Sequence, residues 1–174
     1  MAYRVKQRIP VLAVLLSLTV CGLVHGADIN LSGIVIASAC TIDTATQSQK
    51  VTFDQARATD YQTPGASGEW QDFSLTLSSC PTSTSSVTAT FSGDPDSDDP
   101  TKFANTQGDA AGMALQIMSR DHLTEIRPAG TFTVNVEGAS HRAEFPLSAR
   151  MYAPTGEVTA GSFYTVVQFT FTYQ

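Results

Sequence analysis

The chain has 174 residues, with ten Lys/Arg against sixteen Asp/Glu, a formal net charge of −6, and 15% of its residues charged. That balance leaves no basic patch, which argues against nucleic acid or anionic membrane as a partner.

Arg4, Lys6 and Arg8 form a basic head, followed by an apolar run from Ile9 to Val24. The run is short for a membrane span and polar sequence follows closely, so no membrane insertion is expected. Val24-His25-Gly26 before Ala27 puts small or branched residues where signal peptidase cuts. Residues 1–26 are therefore expected to be a cleaved secretory signal. Leu18-Thr19-Val20-Cys21 offers a rival lipoprotein-type site, but valine directly before the cysteine fits that box poorly. Loss of Arg4, Lys6 and Arg8 leaves seven basic residues against sixteen acidic ones, a net charge of −9. The remaining length suits one domain with a core of its own. Cys21 leaves with the signal, so Cys40 and Cys80 remain. Two cysteines in an exported chain most simply form one disulfide; two buried free thiols are the alternative.

Past residue 26 the sequence is rich in Ser and Thr and is punctuated by Gly, Pro, Asn and Asp. Between these lie short runs of period two. Ile29–Val35 and Lys50–Phe53 come first, then Asp72–Leu77 with Phe73, Leu75 and Leu77 on one side. Val87, Ala89 and Phe91 follow, then Met113, Leu115 and Ile117, then Phe132, Val134 and Val136. Phe145, Leu147, Ala149 and Met151 make a further face, and Phe163–Tyr173 ends the series. No stretch keeps a helical period, so the expectation is an all-β antiparallel sandwich or barrel. The connecting segments 61–68, 93–101 and 153–161 carry the turn residues, and none is long enough to be a domain linker.

Enzyme chemistry has little to stand on. His122 and His141 have no cysteine or carboxylate around them at ligand spacing, and no Gly-x-Ser-x-Gly elbow appears. No cofactor is expected. Asp94-Pro95-Asp96-Ser97-Asp98-Asp99 places carboxylates at alternate positions, but Asp99 and Asn105 stand where a calcium loop needs glycine and glutamate. It reads as a solvated loop. Trp70 and Tyr61 together suggest a sugar-stacking platform, yet Trp70 opens an alternating strand and core packing is the expectation.

The two ends carry the strongest patterns. Phe163, Thr165, Val167, Phe169, Phe171 and Tyr173 share one face of the last segment, and mostly polar residues occupy the other. Burial of a Phe or Val side chain stabilises by about 1.5–3 kcal/mol, so this face must be packed. Near the N-terminus Ile29, Leu31, Gly33 and Val35 share a face opposite Asn30 and Ser32. Periodicity alone favours an ordinary first strand, and Gly33 within it signals a bulge or a close approach to another surface.

Several motifs occur together. Gly33 stands seven positions before Cys40-Thr41-Ile42, and Leu77-Ser78-Ser79-Cys80-Pro81 precedes Val87-Thr88-Ala89-Thr90-Phe91-Ser92-Gly93. Phe145-Pro146-Leu147 precedes Arg150, Gly161 stands fourteenth from Gln174, and Tyr173 is penultimate. With these residues the chain resembles the chaperone–usher pilins of the type 1 fimbrial family. The stretch Trp70–Gly93, the Phe145-Pro146-Leu147 segment and the length are closest to the minor tip-adaptor subunits.

The resemblance implies an incomplete immunoglobulin-like β-sandwich, residues 40–174, that lacks its seventh strand. A groove beside the C-terminal strand would then expose the core, with Gly161, Phe163, Val167, Phe169, Phe171 and Tyr173 as its acceptor residues. Residues 27–39 would be a donor-strand extension, with Ile29, Leu31, Gly33 and Val35 entering a neighbour. It further implies a periplasmic chaperone that fills the groove and grips the carboxylate of Gln174, and an outer-membrane usher where a neighbouring pilin or adhesin takes over. The fibre would support cell adhesion at the bacterial surface after export through the periplasm. A major, self-polymerising pilin is the alternative, and a soluble periplasmic β-sandwich lectin a more distant one.

Overall fold

The computed structural model describes residues 39–174. The expected signal sequence and the residues Ile29, Leu31, Gly33 and Val35 lie outside the described residues.

Among the described residues ten strands occur in the order β1 Thr41–Ile42, β2 Ala66–Ser67, β3 Gln71–Ser78, β4 Ser86–Ser92 and β5 Phe103–Ala104, then β6 Ala114–Ser119, β7 Glu125–Ile126, β8 Thr131–Asn135, β9 Ala143–Ala153 and β10 Gln168–Tyr173. One helical turn, α1 Thr44–Gln47, and a 3-10 turn at Ala58–Tyr61 interrupt them. All pairings are antiparallel. The larger sheet runs β1-β3-β9-β6-β5, with β2 beside β9 and β7 beside β6. The smaller has three strands, β10-β4-β8.

Period two explains which faces meet. In β4 the buried Val87, Ala89 and Phe91 alternate with Thr88 and Thr90, which line the solvent side. Leu75 and Leu77 of β3, Phe145, Leu147 and Ala149 of β9, and Leu115 and Ile117 of β6 complete the buried cluster from the larger sheet. The flanking strands of the smaller sheet contribute Phe132, Val134, Phe169, Phe171 and Tyr173, which are only half-buried. Phe145 lies at the middle, tilted against Phe171 at 5.5 Å between ring centres and edge-on to Phe132 at 6.0 Å. Cys40 and Cys80 are disulfide-bonded, tying the entry of β1 to the end of β3.

Three expectations change. The C-terminal strand is regular only from Gln168; residues 162–165 turn instead to the loop 105–110, where Ala110 N–H donates to Ser162 C=O at 3.0 Å and Gln107 N–H to Tyr164 C=O at 3.1 Å. Lys50–Phe53 alternates without becoming a strand, since residues 49–56 make no backbone hydrogen bond to another described residue. Trp70 is not in the core. It stacks on His122 at 4.3 Å, and the Arg150 guanidinium lies 4.2 Å from the same ring centre. The indole is thus engaged by two side chains of the chain itself.

Candidate functional site

Two extended segments face each other across the open side of the sandwich, residues 49–58 and residues 158–169. Between them lies a groove of about 950 Å³. Its floor is the core itself: Phe73 and Leu75 from β3, Leu115 and Ile117 from β6, and Ala149 and Met151 from β9. A strand-length trough floored by these six apolar side chains is a place where the sandwich is one strand short of closing.

The hydrogen-bonding parity of β10 decides what this groove offers. Gln174 N–H donates to Ser86 C=O at 3.0 Å, and Ser86 N–H donates back to Gln174 C=O at 3.0 Å. In the antiparallel register Thr172↔Thr88, Thr170↔Thr90 and Gln168↔Ser92, every even-numbered residue therefore spends its backbone groups on β4. Farther up, Tyr164 continues the even series with the Asn105 Oδ1 and Gln107 partners, at 2.8 and 3.1 Å. The odd-numbered residues from Phe163 to Tyr173 turn their N–H and C=O groups to the opposite edge, and their side chains to the core. Edge and core surface thus face the same opening.

The upper end is held by three contacts. Phe53 and Phe163 meet across the groove, edge to face at 5.9 Å. The Gln62 side-chain amide donates to Ala58 C=O at 2.8 Å on one wall and to Val158 C=O at 3.0 Å on the other. Gly161 lets the second wall lie against the loop before β6, since a Cβ there would fall 2.5 Å from the Ala110 nitrogen. Tyr61, which also lines the groove, has its phenol pKa raised above the ordinary value, by burial first and then by Asp60 and Glu69.

Of the residues expected to form an acceptor groove, Gly161, Phe163, Val167 and Phe169 line it. Phe171 and Tyr173 do not; they lie farther along β10 and pack on the core cluster. At that end the Gln174 main-chain oxygen accepts from Ser85 N–H at 2.6 Å, Ser86 N–H at 3.0 Å and the Ser85 hydroxyl at 3.2 Å. Sequence reasoning missed the whole opposite wall. The half-buried Val51 and Phe53 were its only signal, a two-residue alternation too short to distinguish a groove lip from a strand.

Away from the groove, polar side chains serve the framework. Asp43 accepts from Ser78 Oγ at 2.5 Å and Thr76 Oγ1 at 2.9 Å and pairs with Arg142 at 3.1 Å, and these hold its carboxyl below the ordinary range. The acidic loop folds back through Lys102, whose buried ammonium meets Asp99 at 3.0 Å and Glu125 at 2.8 Å. Burial works against that charge, yet the two carboxylates raise its pKa. Among the described residues no group of three His, Cys, Asp or Glu side chains is arranged to hold a metal ion.

The profile of the family described as Fimbrial protein matches residues 29–174. The chain belongs to this family. As a fimbrial protein it is 33% identical to Protein FimG of Escherichia coli K12 over 165 residues, covering 94% of this chain and 95% of that one. Among solved structures, the Burkholderia pseudomallei antigen and type I fimbria protein is 30% identical, with a TM-score of 0.58 over 77% of this chain and 88% of its own. The P pilus rod subunit PapA shares the fold at 17% identity, with a TM-score of 0.66 over 78% of this chain and 99% of that one. The resemblance to type 1 fimbrial subunits carried by Cys40, Cys80 and the C-terminal motif is borne out, and so is the incomplete immunoglobulin-like sandwich.

Proposed function

We propose that this fimbrial protein is a minor tip-adaptor subunit. It accepts a neighbour's extended strand in the groove and lends its own residues 27–39 to the next subunit. The observation that carries the reading is the parity of β10: one edge supplies unspent backbone groups along the line where apolar side chains leave the core open. A strand laid there makes main-chain bonds with the odd-numbered residues, while its alternate side chains reach the floor between Leu75, Leu115 and Met151. In the donor segment Ile29, Leu31 and Val35 supply the apolar face, about 5–9 kcal/mol of burial, and Gly33 suits a constriction that excludes a side chain. Residues 40–174 then act as the accepting domain.

In this reading a periplasmic chaperone occupies the groove first and grips the Gln174 carboxylate, and an outer-membrane usher is where the neighbour's strand replaces it. The adaptor role rests on the Trp70–Gly93 stretch, on Phe145-Pro146-Leu147, and on the near full-length similarity to FimG. Such a subunit supports adhesion by linking the parts of a surface fibre.

The test is a panel of thirteen-residue peptides from the N-terminal segments of fimbrial subunits, this chain's residues 27–39 among them. Each is added to the chain beginning at Ala27, and the thermal midpoint is followed. Strongest stabilisation by another subunit's peptide is expected. Strongest stabilisation by its own peptide would favour a self-polymerising subunit, and no shift with any peptide would overturn the groove reading.

A further inference from the structure

Three large apolar side chains among the described residues are conspicuously exposed: Leu123, Tyr164 at 55% and Val166 at 46%. Isolated exposed apolar residues need no explanation, but Tyr164 and Val166 are two apart on one face of the groove wall. Thr165, between them, points inward and donates its hydroxyl to Ala104 C=O. Its backbone belongs to the odd series that faces the open edge. On the other flank Val166 lines a cleft with Ser92, Gly93, Asp94, Thr106, Gln107 and Gln168, none of which brings a large apolar side chain. The neighbour that suits these two side chains therefore comes from the open edge.

A strand paired with Thr165 places its solvent-side residues directly or diagonally opposite Tyr164 and Val166, at about 4.5–8 Å between Cβ atoms. We infer that Tyr164 and Val166 read the outward face of the inserted strand, selecting a neighbouring subunit whose strand carries apolar, β-branched side chains on that face as well as on the face that enters the core. This rests on the groove reading and adds a second determinant to it. A strand of this kind exists in the family. In residues 27–39 of this chain Ile34 and Ile36 lie opposite in parity to Ile29, Leu31 and Val35.

The experiment is a four-way cycle by calorimetry. The unsubstituted 27–39 peptide and its Ile34→Thr/Ile36→Thr version are each titrated into the chain beginning at Ala27 and into its Tyr164→Thr/Val166→Thr variant. Threonine keeps the strand preference on both sides, and both replaced protein residues are exposed, so folding of the variant is preserved. The peptide substitutions are expected to weaken binding to the unmodified protein by about three-fold, the scale of cross-strand pairs, and to leave binding to the variant unchanged. Equal losses on both proteins would overturn the inference while leaving the groove reading intact. Failure of the 27–39 peptide to bind when other peptides of the panel do would overturn it likewise. If no peptide of the panel binds, both readings fall.

Discussion

Phe53 and Phe163 meet edge to face, 5.9 Å between ring centres and 75° between planes, and they join two segments that share no strand pairing. An edge-to-face pair contributes about 0.5–1.5 kcal/mol beyond its burial. Phe53→Ala and Phe163→Ala, alone and combined, are expected to show a coupling near 1 kcal/mol in urea unfolding of the chain beginning at Ala27. Additive losses would mean that the two walls are held independently.

Gln62 makes the second tie, with one amide nitrogen serving carbonyls of both walls. Gln62→Ala should destabilise by about 1–2 kcal/mol, the net worth of two hydrogen bonds. Gln62→Glu should cost more, because an ionised carboxylate cannot donate and would face two carbonyl oxygens. The ranking of urea midpoints, wild type above alanine above glutamate, checks this.

Asp43 predicts the acid limb of stability. Hydrogen bonds from Ser78 and Thr76, and the charge of Arg142, place its folded pKa below the ordinary carboxylate value. Its ionised form thus favours the fold. That contribution is fully present above the unfolded pKa of about 4 and is lost as pH falls through the folded value. Asp43→Asn should lower stability at pH 7 and flatten the decline between about pH 5 and 2, as followed by unfolding midpoints across that range.

The disulfide closes a separation of 40 residues between Cys40 and Cys80. Loop-closure entropy sets its contribution near 4 kcal/mol. A Cys40→Ala/Cys80→Ala variant should lose stability on that scale in urea, and wild-type protein unfolded under reducing conditions should match it.

Alternation made the interior of this molecule legible. Leu75 and Leu77, Val87, Ala89 and Phe91, and Phe145, Leu147 and Ala149 are each readable as core faces, and all are packed where two sheets meet. Period two identifies a face but not a partner. Phe163 and Thr165 keep the inward parity that the C-terminal pattern announced, yet their stretch bonds to loop 105–110, because Gly161 permits an approach that no hydrophobic pattern encodes. Val51 and Phe53 point the same way: their alternation was real and marked the lip of a groove. Trp70 misled because its sequence neighbours are those of β3, while its ring is claimed by Arg150 and His122 from two other places in the chain.

In the proposed assembly the odd-numbered edge of the C-terminal segment receives a strand. Amide hydrogen exchange, resolved residue by residue by NMR with and without a stabilising peptide, tests it most directly. The amides of Phe163, Thr165, Val167, Phe169 and Phe171 should gain protection on peptide addition, while Gln168, Thr170 and Thr172, already spent on β4, stay as they were. Unchanged odd-numbered amides, or equal protection of both sets under saturating peptide, would contradict the account.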